Sequence, residues 1–246
     1  MTATYEVVGK PVTRQEGPDK VSGTFLYSAD VNQPGMIWGK VLRSPFPHAK
    51  IVKIDASKAL AMPGVHAVIT GQDTLGMRIG RSVRDVPLLA ENEVRFVGEK
   101  VAAVAADSPD VAEEALLMIE VEYEPLPAIF DPIEAMEPDA PLVHGGSPSF
   151  ESPSGPIRPQ GNIVNHSTWS SGDMDQGFSA SDQVFEHTFT TTWVHQGYME
   201  PYACVVDIDD AGRVQVWANN KVPYTLRKQL ADALELPEEQ IRVNPC

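Results

Sequence analysis

Apolar positions along this chain fall in short, turn-bounded runs, and their period changes from region to region. Met36–Arg43, set between Pro34-Gly35 and Ser44-Pro45, reads as a buried strand. Ile51–Ile54 predicts a second strand, and Asp55 is placed to cap a short helix over Ala56–Ala61 that Pro63-Gly64 would end. Val65–Thr70 predicts a third strand. Val101–Ala106 is an apolar run too short for a convincing helix and flanked by turn formers. Ser108-Pro109-Asp110 then sets a capping hydroxyl, a first-turn proline and an acid ahead of a helix over Val111–Ile119, which meets the orphan amides and the helix dipole together. Glu120–Glu124 alternates acids with Val121 and Tyr123, as a half-exposed strand should. This alternation of strands and helices predicts an α/β or α+β fold.

The character changes at residue 126. Pro127, Pro132, Pro138, Pro141, Pro148, Pro153, Pro156 and Pro159 crowd residues 126–165 together with Gly and Ser, which reads as a connector holding one short helix at Pro132–Met136. Patterning returns near His166. Val184–Thr192 alternates two kinds of face and predicts a strand. Ala203–Ile208 and Arg213–Ala218 flank Asp209-Asp210-Ala211-Gly212 as a hairpin. Pro223–Leu234 predicts an amphipathic helix with Leu226, Leu230, Ala231 and Leu234 on one face. Gln240–Val243 reads as a strand whose partner lies outside this sequence. The resulting division is a polar leader over 1–16, a first domain over 17–125, a linker over 126–165 and a second domain over 166–246.

Composition narrows the function classes. The 246 residues carry a formal charge of -15, which argues against nucleic-acid or anionic-membrane binding, since both need a basic footprint. No apolar run approaches the roughly 20 residues of a membrane span, and the amino terminus lacks a secretory pattern, so a cytoplasmic location is expected. Cys204 and Cys246 are the two cysteines, expected as free thiols; iron–sulfur clusters want about four thiolates, so any such cluster must sit on another chain.

Some polar residues invite chemistry. Arg43-Ser44-Pro45-Phe46-Pro47-His48 is a proline-stiffened turn, either purely structural or offering Arg43 and His48 to a neighbouring subunit. Val94-Arg95-Phe96-Val97-Gly98-Glu99 is a second turn, with Gly98 suited to a positive φ and Glu99 open to an interface role. His195 and Glu200 lie five apart, off a common helix face, and even with His187 they fall one short of a tetrahedral zinc site. No metal site and no catalytic residue is assigned. Dinucleotide-binding, Walker A and nucleophile-elbow motifs are missing from the sequence.

Taken together, these phrases carry a resemblance. Leu42–Ala49 followed by Val94–Glu99 and Val101-Ala102 resembles the α/β hammerhead domain that precedes the molybdopterin domain in the large subunits of xanthine dehydrogenase, aldehyde oxidase and carbon monoxide dehydrogenase. Asp19-Lys20-Val21-Ser22-Gly23 and Tyr27-Ser28-Ala29-Asp30-Val31 look like that family's opening phrases. His195-Gln196-Gly197-Tyr198-Met199-Glu200-Pro201 resembles the His-x-x-x-Met-Glu-Pro segment that opens its molybdenum domain. The resemblance runs over residues 8–246. It implies an α+β chain: a hammerhead domain followed by the incomplete first part of an α+β molybdopterin-binding domain.

The resemblance also implies a chemistry. In the family a molybdenum–molybdopterin centre oxidises an aldehyde, an N-heterocycle or a similar small substrate with water-derived oxygen, and electrons leave through iron–sulfur clusters and FAD on small and medium partner subunits. A strand running into Gln-x-Pro supplies one cofactor contact there. Trp217-Ala218-Asn219-Asn220-Lys221-Val222-Pro223 aligns with it and puts Lys221 at the Gln position. An ammonium only donates hydrogen bonds, whereas an amide donates and accepts, so Lys221 is a candidate donor to an oxo or phosphate group, with Asn219 or Asn220 as alternative sources of the amide. Glu235 stands where the family often ends this helix with Gly. The family's glycine-rich loop and catalytic Glu are expected beyond Cys246, so the chain by itself is expected to be inactive. Two alternatives are a non-catalytic assembly or scaffold subunit, and the front half of a split large subunit completed by another chain.

Overall fold

The computed structural model describes residues 5–80, 82–145, 148–152 and 154–245. The thiol expected at Cys246, the first four residues of the predicted leader and Pro153 of the predicted connector lie outside them. In chain order the elements are α1 (Gly17–Ser22), β1 (Trp38–Arg43), β2 (Ala49–Asp55), α2 (Ser57–Leu60), β3 (Val65–Thr70), β4 (Arg78–Ile79), β5 (Val86–Pro87), β6 (Glu93–Val94), β7 (Lys100–Ala106), α3 (Pro109–Leu117) and β8 (Glu120–Pro125). They continue with α4 (Met174–Ser179), β9 (Cys204–Ile208), β10 (Val214–Ala218), α5 (Pro223–Leu234) and β11 (Ile241–Pro245). The fold is α+β. Two compact units emerge, one over Ile37–Gly197 and the other from the described residues of Met1–Met36 and Tyr198–Cys246.

In the first unit the short apolar run becomes the strand on which everything else is laid. β7 lies between β1 and β3 and is antiparallel to both. Ala102, Val104 and Ala106 pack under Ala112 and Ala115 of α3, while Val101 packs with Ala49, Ala90 and Val94 in a second cluster. Because both faces of β7 are covered, it needs no polar alternation, which is why it reads as a continuous run. The alanines let α3 approach the sheet closely. α3 starts two residues earlier than the pattern predicts: Pro109 opens the helix and the Ser108 hydroxyl accepts from Val111 N at 3.2 Å. A second sheet has the order β6-β2-β8, with Ile51 opposite Tyr123 and Phe46 packed on the Tyr123 ring at 5.0 Å. The proline-rich segment is fastened to this unit. Leu126 N donates to His48 O, Arg95 Nε donates to Val143 O, and the Asn162 amide donates to Ala135 O and Pro141 O.

The second unit holds a three-stranded sheet in the order β11-β10-β9. β9 and β10 form the expected hairpin, and the Asp209 carboxylate closes its turn by accepting from Ala211 N and Arg213 N. α5 then crosses over so that β11 pairs with β10 in parallel, Val214 opposite Ile241. Val214, Val216, Ala231 and Ile241 form the core between sheet and helix.

Two expectations are corrected. The strand near Gln240–Val243 does have its partner inside this sequence, namely β10. A parallel partner lies on the far side of a crossover helix, where local pattern does not reveal it. Val184–Thr192, predicted as a strand, runs without a ladder partner among the described residues. Alternation specifies a strand's two faces, but a strand exists only where neighbouring backbone meets its N–H and C=O groups.

Candidate functional site

β10 ends at Ala218 and α5 begins at Pro223, so the predicted contacts Asn219, Asn220 and Lys221 form the turn between them. The three residues do different work. The Asn219 side chain accepts from Ala203 N at 2.8 Å and donates to the Glu200 carboxylate. It thereby clasps the Met199-Glu200-Pro201 phrase to the end of β10. The Asn220 side-chain carbonyl accepts from Val222 N at 2.7 Å, while its amide nitrogen is buried with no hydrogen-bond partner. Lys221 is exposed at the apex. Val222, at the N-cap position of α5, supplies no side-chain cap, and the first turn of that helix carries no acid.

The turn offers three kinds of donor: an orphaned buried amide, an ammonium, and uncapped amides at the positive end of a twelve-residue helix. A buried amide N–H without an acceptor costs about 1–3 kcal/mol, so the Asn220 donor calls for an acceptor. An acceptor-rich anionic group such as a phosphate or a metal oxo group fits this donor set.

Other polar residues are absorbed by the fold. Arg227 is bound to Glu238 through Nε at 3.2 Å and Nη2 at 3.0 Å and lies over the Tyr224 ring, which ties α5 to the turn before β11. The two hammerhead phrases interlock: Arg43 Nη1 donates to Gly98 O at 2.8 Å, and Gly98 N donates to Ser44 O at 2.8 Å. His48 Nδ1 donates to Pro127 O at 2.6 Å. Glu99 is buried and accepts from Arg95 N; burial pushes its carboxyl above the usual range against the pull of that N–H. Lys100 is lowered, by burial first and then by Arg43.

A cavity of about 290 Å³ near these turns was not legible in the sequence; His48, Phe96, Val97, Phe130 and Leu142 are among its walls. Its lining comes from segments far apart in the chain, which no local pattern brings together.

Glu235 occupies the left-handed region at φ 55, the one described non-glycine residue with positive φ. Its N–H and that of Leu236 close the end of α5 on Ala231 O. Glu235→Gly is therefore expected to stabilise this unit by about 1 kcal/mol, through relief of left-handed strain and of an acid at the helix C-terminus. Equal or lower stability than wild type in urea unfolding would contradict this.

Known proteins share this arrangement. The family described as aldehyde oxidase and xanthine dehydrogenase, a/b hammerhead domain, matches residues 22–127, and the molybdopterin cofactor-binding domain matches residues 157–245. The chain belongs to the aldehyde oxidase and xanthine dehydrogenase family. Within that family it corresponds to an amino-terminal part of the molybdenum-binding large subunit. It is 39% identical over 239 residues to a probable xanthine dehydrogenase subunit of Bacillus subtilis, covering 96% of this chain and 30% of that one. It is 35% identical to the nicotinate dehydrogenase large molybdopterin subunit of Eubacterium barkeri, covering 99% of this chain and 54% of that one. Among solved structures, quinoline 2-oxidoreductase from Pseudomonas putida 86 superposes with a TM-score of 0.82 at 32% identity, covering 96% of this chain and 30% of that one. The chain thus spans from under a third to about half of the length of these relatives. Among the described residues no helix is long and apolar enough to cross a membrane.

Proposed function

We propose that this chain acts as the amino-terminal portion of the molybdenum-cofactor subunit of a cytoplasmic molybdenum hydroxylase that oxidises an aldehyde, an N-heterocycle or a similar small substrate. The observation that carries the reading is the pair of domain matches in the family's order, with the donor-lined turn at Asn220 and Lys221 inside the second. The partners in this reading are the remainder of a large subunit, an iron–sulfur small subunit and an FAD-binding medium subunit. Support comes from relatives that are themselves parts of assemblies, among them one subunit of a 6-hydroxypseudooxynicotine dehydrogenase complex and a nicotinate dehydrogenase large molybdopterin subunit.

When bound, the molybdenum–molybdopterin group supplies the redox chemistry and the reactive oxygen; the protein binds and orients. Lys221 and the Asn220 amide would donate to its oxo or phosphate acceptors. Asn219 would bind at one remove, holding the turn against Glu200 so that its neighbours keep their positions. With an ammonium at the apex, the turn would favour a more anionic cofactor face than a neutral amide would.

The test uses the protein in its assembled form and measures molybdenum by elemental analysis as well as turnover. Lys221→Glu is expected to lower bound molybdenum by about ten- to a hundredfold, as the loss of a hydrogen bond to a charged group implies. Lys221→Gln keeps a donor and is expected to stay within about twofold of wild type in molybdenum content. The 246-residue chain alone is expected to retain no stoichiometric molybdenum and to hydroxylate nothing. Wild-type molybdenum content in Lys221→Glu would remove the turn from the cofactor site. An assembled protein without molybdenum would remove the oxidoreductase reading itself.

A further inference from the structure

The cavity between the two hammerhead turns and the proline-rich segment has no part in the molybdenum reading, yet it is built as binding sites are. Phe96, Val97, Phe130 and Leu142 give it apolar walls, and Arg95 and His48 join the lining. Its volume of about 290 Å³ sits at the lower limit of ligand pockets, with room for one ring-sized molecule. Three segments distant in sequence are pinned around it. His48 Nδ1 donates to Pro127 O at 2.6 Å, Leu126 N to His48 O at 3.0 Å, and Arg95 Nε to Val143 O at 3.0 Å. These bonds hold the walls in place before anything binds, which removes much of the ordering cost. Val97 is nevertheless 63% and Phe130 81% exposed, so large apolar side chains stand in water around a fixed hollow.

Arg95 gives the hollow its polarity. Its Nε goes to Val143 O and its Nη2 to Glu93 Oε2 at 3.1 Å, which leaves Nη1 without an acceptor among the described residues. The other nearby acid, Glu99, accepts from Arg95 N, and burial pushes its carboxyl toward the neutral form. We propose that this cavity binds a small aromatic carboxylate, its ring against Phe96 and Phe130 and its carboxylate on Arg95 Nη1. The ring follows from the walls, because aromatic side chains pair with an aromatic guest beyond what buried area alone supplies. The carboxylate follows from the guanidinium, whose bonds to an anion are the strong, charge-assisted kind. A neutral ring would leave Nη1 unmet, and a small aliphatic acid would leave the apolar walls wet. The guest would touch the turns at 47–48 and 95–97 and the segments at 127–130 and 141–143 together. Binding therefore fastens the proline-rich segment to the hammerhead turns, and it is independent of molybdenum.

Equilibrium dialysis of benzoate against the protein in its assembled form tests this. One equivalent is expected to bind with a dissociation constant of about 0.1–1 mM, in keeping with so small a ligand. Benzyl alcohol, which keeps the ring, and acetate, which keeps the carboxylate, should each bind at least about tenfold more weakly. Val97→Trp fills the hollow and should abolish binding, while Phe130→Ala should weaken it about tenfold. Both side chains are exposed, so the melting temperature without ligand should stay at the wild-type value. At a benzoate concentration ten times the dissociation constant, exchange of the Leu126 and Val143 amides should slow by up to about tenfold. Absence of saturable binding would overturn the proposal, and so would equal affinity for benzyl alcohol. Undiminished binding to Val97→Trp would place the ligand elsewhere and overturn it too. Binding to the isolated chain but not to the assembly would show that polypeptide fills the cavity, which is equally fatal. Molybdenum content of the same samples judges the enzyme reading separately, because benzoate binding here needs no metal.

Discussion

Gly71→Ala is expected to destabilise the Ile37–Gly197 unit by about 3 kcal/mol, near the upper end of what overpacking costs. A Cβ at position 71 would lie 2.1 Å from Ala90 O and 2.8 Å from Glu91 Cα, both backbone atoms. Neither can swing aside as a side-chain end would. Ala90 N is bonded to Lys100 O at 2.7 Å, and Ala90 itself is buried beside Val94 and Val101. On the other side the Asp73 carboxylate holds Thr70 through its N–H at 2.7 Å and its hydroxyl at 3.0 Å. The turn after β3 and the start of β7 are therefore fixed against each other, and the substitution must pry them apart. Gly39→Ala is the control, since a Cβ in β1 meets nothing within 4 Å. Urea unfolding should separate the two variants clearly. Equal midpoints would show that the close approach at Gly71 is not what the fold depends on.

Asn219→Ala is expected to cost the second unit about 3 kcal/mol, from one hydrogen bond to a backbone amide and one to a carboxylate. The loss is local before it is global. Ala203 N and Glu200 lose their partner, so the Met199-Glu200-Pro201 phrase is released from the end of β10. Exchange of the Ala203 amide should speed up by about a hundredfold, which is that energy expressed as an opening equilibrium. Asn219→Asp keeps the acceptor for Ala203 N but faces Glu200 with a second carboxyl, and should fall between alanine and wild type. An Ala203 amide that exchanges at the wild-type rate in Asn219→Ala would show that the clasp contributes nothing. Because this side chain is occupied inside the protein, its variants test how the turn is held, whereas those at Lys221 test what the turn holds.

Much of the fold was legible because local chemistry decides it. Val65–Thr70 and Pro223–Leu234 have the predicted bounds, and Ser108 caps the helix that its hydroxyl announces. The family was legible too, since several phrases in order leave little room for coincidence. The short strands Arg78–Ile79, Val86–Pro87 and Glu93–Val94 were not, because two residues carry no period. Of the candidate turn, the sequence named the three residues but could not divide their roles. Asn219 and Asn220 are chemically identical, and only their surroundings make one a clasp and leave the other with an orphaned buried donor.

The opposite fates of two apolar patterns mark the boundary between sequence and structure. Val101–Ala106 looked unremarkable and became the centre of the first unit, while Val184–Thr192 looked like a strand and found no ladder among the described residues. By itself the sequence determined which residues can be strand, helix or turn, that Ser108 caps α3 and which family the phrases belong to, whereas the cap expected from Asp55 falls on Ala56 without a side-chain bond. Beyond the β9–β10 hairpin, tertiary structure alone decided which strands lie side by side, that Glu200 meets Asn219 and that the Asn220 amide is left over. The reason is physical: propensity and capping are settled among residues a few positions apart, whereas pairing and burial depend on what the rest of the chain brings alongside.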